Sequence, residues 1–297
     1  MSPWISAFRP RTLPLALASI LTGAFLAGAA GRFNGPVVAL AALTTVLLQI
    51  LSNLANDYGD SQNGADSVHR QGPLRAVQSG AISPEQMKRA MWGFGAAALG
   101  SGVALLLVAL GLGAVWVLLA FLVLGLAAIW AAVNYTAGSR PYGYAGLGDL
   151  SVFLFFGVVG VCGTYFLQTR TLPLPVLLPA VALGCFATAV LNVNNIRDIE
   201  TDTMTGKKSI PARIGRDRAV QYHWLLLYAG MACAMAYSVF TNAPAMAYLY
   251  LLSFPLFILN GRAIASHKQS AELNPRLGQL ALSTLLFVIL FGIGTVL

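Results

Sequence analysis

Charge is what this chain has least of. Only 9% of its 297 residues are Asp, Glu, Lys or Arg, against about 25% in a water-soluble globule, so most of its exterior has no ionic groups to hydrate. That shortage excludes a soluble enzyme, a disordered chain and a coiled coil. Cysteine is equally scarce. Cys162, Cys185 and Cys233 lie far apart in apolar runs, with neither metal-ligand spacing nor a disulfide framework, and they read as small buried apolar side chains.

What fills the chain instead is 57% hydrophobic residues and a mean hydropathy of +0.73. A helix needs about 20 apolar residues to cross the hydrocarbon of a bilayer. Nine uncharged runs of that length can be marked, near 14–31, 36–55, 90–110, 115–134, 150–169, 176–194, 222–241, 243–260 and 278–296. Arg9 and Arg11 precede a first run that lacks a small-residue cleavage site followed by polar chain, so it reads as a retained helix and not a cleaved signal. The expectation is an all-α integral membrane protein, with nine transmembrane helices in one bundle forming a single domain over 1–297.

Basic residues orient such a bundle. With nine spans, sixteen of the eighteen Lys and Arg fall on one side, leaving Arg32 and Arg170 on the other. This puts the amino terminus in the cytoplasm and the carboxyl terminus on the opposite side. All ten acidic residues and the three histidines fall on the cytoplasmic side too, although carboxylates contribute little to topology. They suggest a single polar working surface. The far-side connections near 32–35, 111–114 and 242 are short, while the cytoplasmic loops near 56–89 and 195–221 run to roughly 25–35 residues, a length that is usually functional inside a bundle.

Two acidic clusters open those loops. One contains Asn56, Asp57, Asp60 and, beyond Gly64, Asp66; the other contains Asn194, Asp198 and Asp202. If the helix continues, Asn194, Asp198 and Asp202 share one face at i, i+4 and i+8, as do Asn56 and Asp60. Like charges at that spacing cost a helix roughly a few tenths of a kcal/mol per pair, and a divalent cation reverses the sign. Hard oxygen donors without Cys or paired His suit Mg2+, which is typically held by a few carboxylates together with substrate phosphates and water. A phosphorylated substrate follows, and Arg75, Arg140, Lys207, Lys208 and Arg213 would supply the positive charge that a diphosphate requires. Both clusters leave the cytoplasmic ends of even-numbered spans, so they can face each other across the bundle.

These residues resemble the UbiA-type intramembrane aromatic prenyltransferases over essentially the whole chain. The family's first motif, Asn and two Asp at four-residue spacing, resembles Asn56, Asp60 and Asp66 with two extra residues before the last Asp. Its second resembles Asn194, Asp198 and Asp202 with regular spacing, and its Tyr followed by a basic residue after span four is matched by Tyr135 and Arg140. Three stretches are similar to the branch of the family acting on 1,4-dihydroxy-2-naphthoate: Phe8 to Pro14, Leu51 to Asp60, and Arg140 to Tyr144 leading to Gly146-Leu147-Gly148-Asp149.

The resemblance implies magnesium-dependent transfer of a polyprenyl group from polyprenyl diphosphate to 1,4-dihydroxy-2-naphthoate, with loss of carbon dioxide to give demethylmenaquinone. This would take place in the bacterial cytoplasmic membrane, among its lipids, at a site opening toward the cytoplasm, with no nucleic acid involved. Asp60, Asp198 and Asp202 would be catalytic, and Asp60, Asp66, Asp198 and Asp202 would be the metal residues. Asn56 and Asn194 would join them around magnesium diphosphate. Arg75, Arg140 and Lys207 would contact the diphosphate, and Tyr135 and Asp149 would place the aromatic ring or handle a proton. Other acceptors of the family, 4-hydroxybenzoate or homogentisate, fit the same motifs. A secondary transporter is the alternative of another class, but it would carry ionisable groups near the bilayer midplane, and the marked spans are nearly free of charge.

Overall fold

Among the residues described by the computed structural model, 2–63, 74–267 and 269–297, nine helical segments are long and apolar enough to cross a membrane. They are α1 (Pro3–Ala29), α2 (Gly35–Gln62), α3 (Pro84–Leu110), α4 (Val115–Asn134), α5 (Gly148–Thr169), α6 (Leu174–Arg197), α7 (Arg216–Phe240), α8 (Ala245–Ser266) and α9 (Ser270–Val296). Asp66 lies outside the described residues. Caps explain several boundaries. The Asn34 side chain accepts from Val37 N at the start of α2, and Ser83 and Gln86 form a reciprocal capping box ahead of Pro84 in α3, satisfying amides that have no partner within the helix.

The acid-bearing ends of α2 and α6 differ from the sequence reading. α2 does not stop near 55 but continues through Gly59 to Gln62, so Asn56, Asp57 and Asp60 stand on its last turns and not in a loop. The stretch 195–221 is mostly helical, containing Ile199–Met204 and Ile210–Ile214 before α7 begins at Arg216. Hydropathy marks the membrane's thickness, whereas a helix continues for as long as its polar side chains find partners. The helix does not continue unbroken across Asn194, Asp198 and Asp202. α6 ends at Arg197 and Asp198 is its C-cap, at φ −98° and ψ 11°. Hydrogen bonds donated by the Asp198 amide to Asn194 O and by the Asp202 amide to Asp198 O carry the spacing across the break.

Packing divides the bundle. α6, α7, α8 and α9 close around Phe186, Phe257, Phe287 and Phe291, with Phe186 stacked on Phe257 at 4.3 Å and edge-on to Phe287 at 5.2 Å, a geometry that adds to the burial of the rings. α6 packs small residues against α5, where Gly157 lies on the Ala180 carbonyl and the Gly184 backbone, as membrane helices do when they approach closely. α2, α3 and α4 bury a smaller share of their residues, and in α4 only Ala131 is buried. Among α1 to α5 lies a cavity of about 370 Å³, lined mainly by their apolar side chains. Its lining includes a π-helical stretch of α5, Phe153–Cys162.

Candidate active site

The cavity's polar end is marked by Asn56, Tyr135, Tyr142 and Ser151, and Asp60 and Asp202 lie within Coulombic range of Tyr135. Asp60 is buried, paired with Arg75 at 2.5 Å and accepting the Tyr144 hydroxyl at 2.8 Å. Arg75 also donates to the backbone carbonyl of Asn56, whose side-chain oxygen accepts the Thr136 hydroxyl at 2.9 Å. Gly59 permits this approach, because a Cβ there would overlap the Thr136 carbonyl. In the second cluster, Arg197 pairs with Asp198 at 2.6 Å and donates to Asn194 Oδ1 at 2.8 Å and Asn274 Oδ1 at 2.9 Å. Asp202 pairs with Lys207 at 3.3 Å and accepts the Ser209 hydroxyl at 2.7 Å.

One segment joins the clusters. Tyr144 holds Asp60 through its hydroxyl and accepts the Lys208 amide on its carbonyl at 2.9 Å, next to the Lys207 that pairs with Asp202. Gly146, at φ +89°, allows the contact, since any side chain there would strike the Lys208 carbonyl. Lys207 consequently lies within Coulombic reach of Asp60 as well. Both acid-bearing helix ends therefore face a common space.

The electrostatics of the connecting loops agree with that convergence. Burial first, then the Asp60 carboxylate, raises the Tyr144 pKa, and burial followed by Asp149 does the same for Tyr135, with Asp60 and Asp202 also in range. Both phenols remain protonated donors. Burial raises the Asp202 carboxyl above the ordinary carboxylate range, against the pull of Lys207 and Ser209. Asp149, in the first turn of α5, is buried and accepts the Tyr222 hydroxyl from α7 at 3.1 Å.

Of the residues singled out in the sequence, Asn56, Asp60, Arg75, Tyr135, Asp149, Asn194, Asp198, Asp202 and Lys207 are brought to this end of the bundle. Arg140 is exposed on its loop and forms no ion pair among the described residues. Sequence reasoning missed Tyr144, Thr136, Ser209 and Tyr222 as partners of the polar groups, and it took Arg197 only for a topology signal. Arg197 directly precedes Asp198, so its adjacency was a usable clue; the hydroxyl partners carry no local signature.

The donors suit magnesium in kind, being carboxylate and amide oxygens only. Among the described residues, no three acidic side chains surround one point where an ion could sit, because Asp60, Asp198 and Asp202 each turn to a cation of the protein. Such a set fits an ion shared with a diphosphate better than one held by protein alone.

Comparison with known proteins places this arrangement. Over residues 16–285 the chain matches the UbiA prenyltransferase family. It is 44% identical over 294 residues to 1,4-dihydroxy-2-naphthoate octaprenyltransferase of Haemophilus influenzae, covering 98% of this chain and 94% of that protein. The fold is similar to the apo structure of a UbiA homolog from Aeropyrum pernix K1, at TM-score 0.71 and 19% identity over 96% of this chain and 97% of the other. It is similar also to a UbiA homolog from Archaeoglobus fulgidus bound to DMAPP and Mg2+, at TM-score 0.68 and 17% identity over 99% of both chains. The chain is thus matched by sequence along nearly its whole length and belongs to the UbiA prenyltransferase family.

Proposed function

We propose that this membrane prenyltransferase transfers a polyprenyl group from polyprenyl diphosphate to 1,4-dihydroxy-2-naphthoate at the polar end of its cavity, as the name of its Haemophilus relative indicates. The observation that carries the reading is the Tyr144 bridge, which draws Asp60 and the Asp202–Lys207 pair around one space. Asp60, Asp198 and Asp202, with Asn56 and Asn194, would hold magnesium there, as would Asp66 by the resemblance of its motif. When bound, that ion neutralises charge on the departing diphosphate.

The rest of the chemistry belongs to the chain. Arg75 and Lys207 already lie on carboxylates of the site and would stabilise the diphosphate as the allylic C–O bond breaks and its electron pair leaves with oxygen. Arg140, on its exposed loop, would reach the diphosphate from outside the buried pairs. The apolar cavity excludes water that would quench the allylic cation and receives the prenyl chain. Tyr135 and Asp149 would orient the naphthoate ring. The new C–C bond forms at the carbon bearing the carboxylate, carbon dioxide departs leaving its electron pair in the ring, and the redox-balanced product is the quinol of demethylmenaquinone. Its conversion to the quinone takes a separate oxidant. By the distribution of basic residues, the site faces the cytoplasm, the amino terminus is cytoplasmic and the carboxyl terminus lies opposite. The whole chain acts as one domain.

Purified protein with Mg2+ and a polyprenyl diphosphate should convert 1,4-dihydroxy-2-naphthoate to a prenylated, decarboxylated product, and should lose that activity to a chelator. Conversion of 4-hydroxybenzoate or homogentisate in its place would reject the acceptor, and no conversion of any aromatic would reject the reaction.

A further inference from the structure

The last turns of α2 carry two polar columns. Asn56 and Asp60 form one, directed to the site. Gln49, Asn53 and Asp57 form the other, at i, i+4 and i+8 on an adjoining face, and none of these three touches the site's carboxylates. Asp57 is 2% exposed, and its two oxygens accept the consecutive backbone amides of Ala76 and Val77, each at 3.1 Å. The residue before that pair of amides is Arg75, the partner of Asp60. Asn53, also 2% exposed, donates to the Phe8 carbonyl at 2.9 Å and to the Thr12 hydroxyl at 3.0 Å, while Gln49 donates to the same hydroxyl at 3.3 Å. Between Phe8 and Thr12 stands Arg9, held at φ +50° and within Coulombic reach of Asp60. A left-handed conformation is strained for a non-glycine residue and persists only where its surroundings impose it.

We propose that Asp57 and Asn53 are positioning residues, which clamp the turns carrying Arg75 and Arg9 so that their guanidinium groups are presented at the diphosphate site. The inference rests on the diphosphate reading of that site. The residue types suit the task. Two adjacent amides need two acceptors and no donor, which a carboxylate provides and an amide side chain does not. Backbone amides fix the main chain beside Arg75 while leaving its side chain free to exchange Asp60 for a phosphate oxygen. Asp57, though it neighbours the acidic motif, is thereby committed to the loop and does not serve as a ligand.

The test is a double-mutant cycle on Asp57→Ala and Arg75→Ala, reading inorganic pyrophosphate affinity by calorimetry in the presence of Mg2+. Each single variant should weaken pyrophosphate roughly tenfold or more, and the double variant should be little worse than either, because the second change removes a contact already misplaced. In turnover, Asp57→Ala should raise KM for the allylic diphosphate while leaving KM for the aromatic acceptor within about twofold, a split that general loosening of the fold does not produce. If Asp57→Ala does not fold, Asp57→Asn, which keeps the volume and one acceptor, takes its place in the cycle with the same expectation of non-additivity. Losses that add across the cycle, or KM values that rise together for both substrates, overturn the positioning role alone. Absence of pyrophosphate binding by the unmodified protein overturns it together with the diphosphate reading.

Discussion

Asp60 draws its partners from far along the chain, Arg75 through an ion pair at 2.5 Å and Tyr144 through a hydrogen bond at 2.8 Å. Asp198 and Asp202 find theirs within seven residues, in Arg197, Lys207 and Ser209. The two acidic ends occupy equivalent places, each at the C-terminus of an even-numbered span. The second, however, is set by local chain geometry, whereas the first comes together only when the turn at 75–77 and the loop at 135–147 are docked on α2. Equal chemistry therefore comes with unequal dependence on tertiary structure.

The strongest challenge to the comparison is to remove one carboxylate from each end. Asp60→Asn and Asp198→Asn should each reduce kcat for prenyl transfer by at least about 10²–10³-fold, because both ends are required to neutralise the leaving group. Circular dichroism and elution of both variants should match the unmodified protein. Full activity in either would mean that its end of the site is dispensable.

A finer probe exploits one bond made in two ways, a hydroxyl donated to a buried Asp. Tyr144→Phe removes the long-range version and should lower kcat/KM about tenfold, since a buried carboxylate loses a donor and the link between the clusters weakens. Ser209→Ala removes the local version and should cost only about two- to fivefold, because Lys207 still pairs with Asp202 and the local chain still positions it. Steady-state kinetics with both substrates varied would check the ranking. A larger loss for Ser209→Ala would reverse the contrast drawn between the two ends.

Much of this architecture was legible in the chain. All nine spans, the pairing of Asn56 with Asp60 and the sequence Asn194, Asp198, Asp202 could be read from apolar run length and side-chain spacing. Helix ends were read less well. The hydropathy break near 55 predicts an end for α2, whereas Asp57 and Asp60 are carried onward in helix, each with a partner. The break at Asp198 was also invisible, since α6 ends at a residue whose type gives no stop signal. Tyr144 enters the sequence reading only within the stretch Arg140 to Tyr144 that resembles the naphthoate branch. Its hydroxyl acts 84 residues away.

By itself the sequence determined the nine apolar spans and the grouping of carboxylates at the ends of two of them, because hydrophobic length and carboxylate spacing are properties of a linear chain. Only the tertiary structure decided which cation each carboxylate holds, where α6 breaks, and that the two ends meet through Tyr144 and Lys208. Those outcomes depend on close backbone approach at Gly59 and Gly146 and on hydrogen bonds between distant segments, whose partners are selected by packing and leave no periodic trace in the residues that make them.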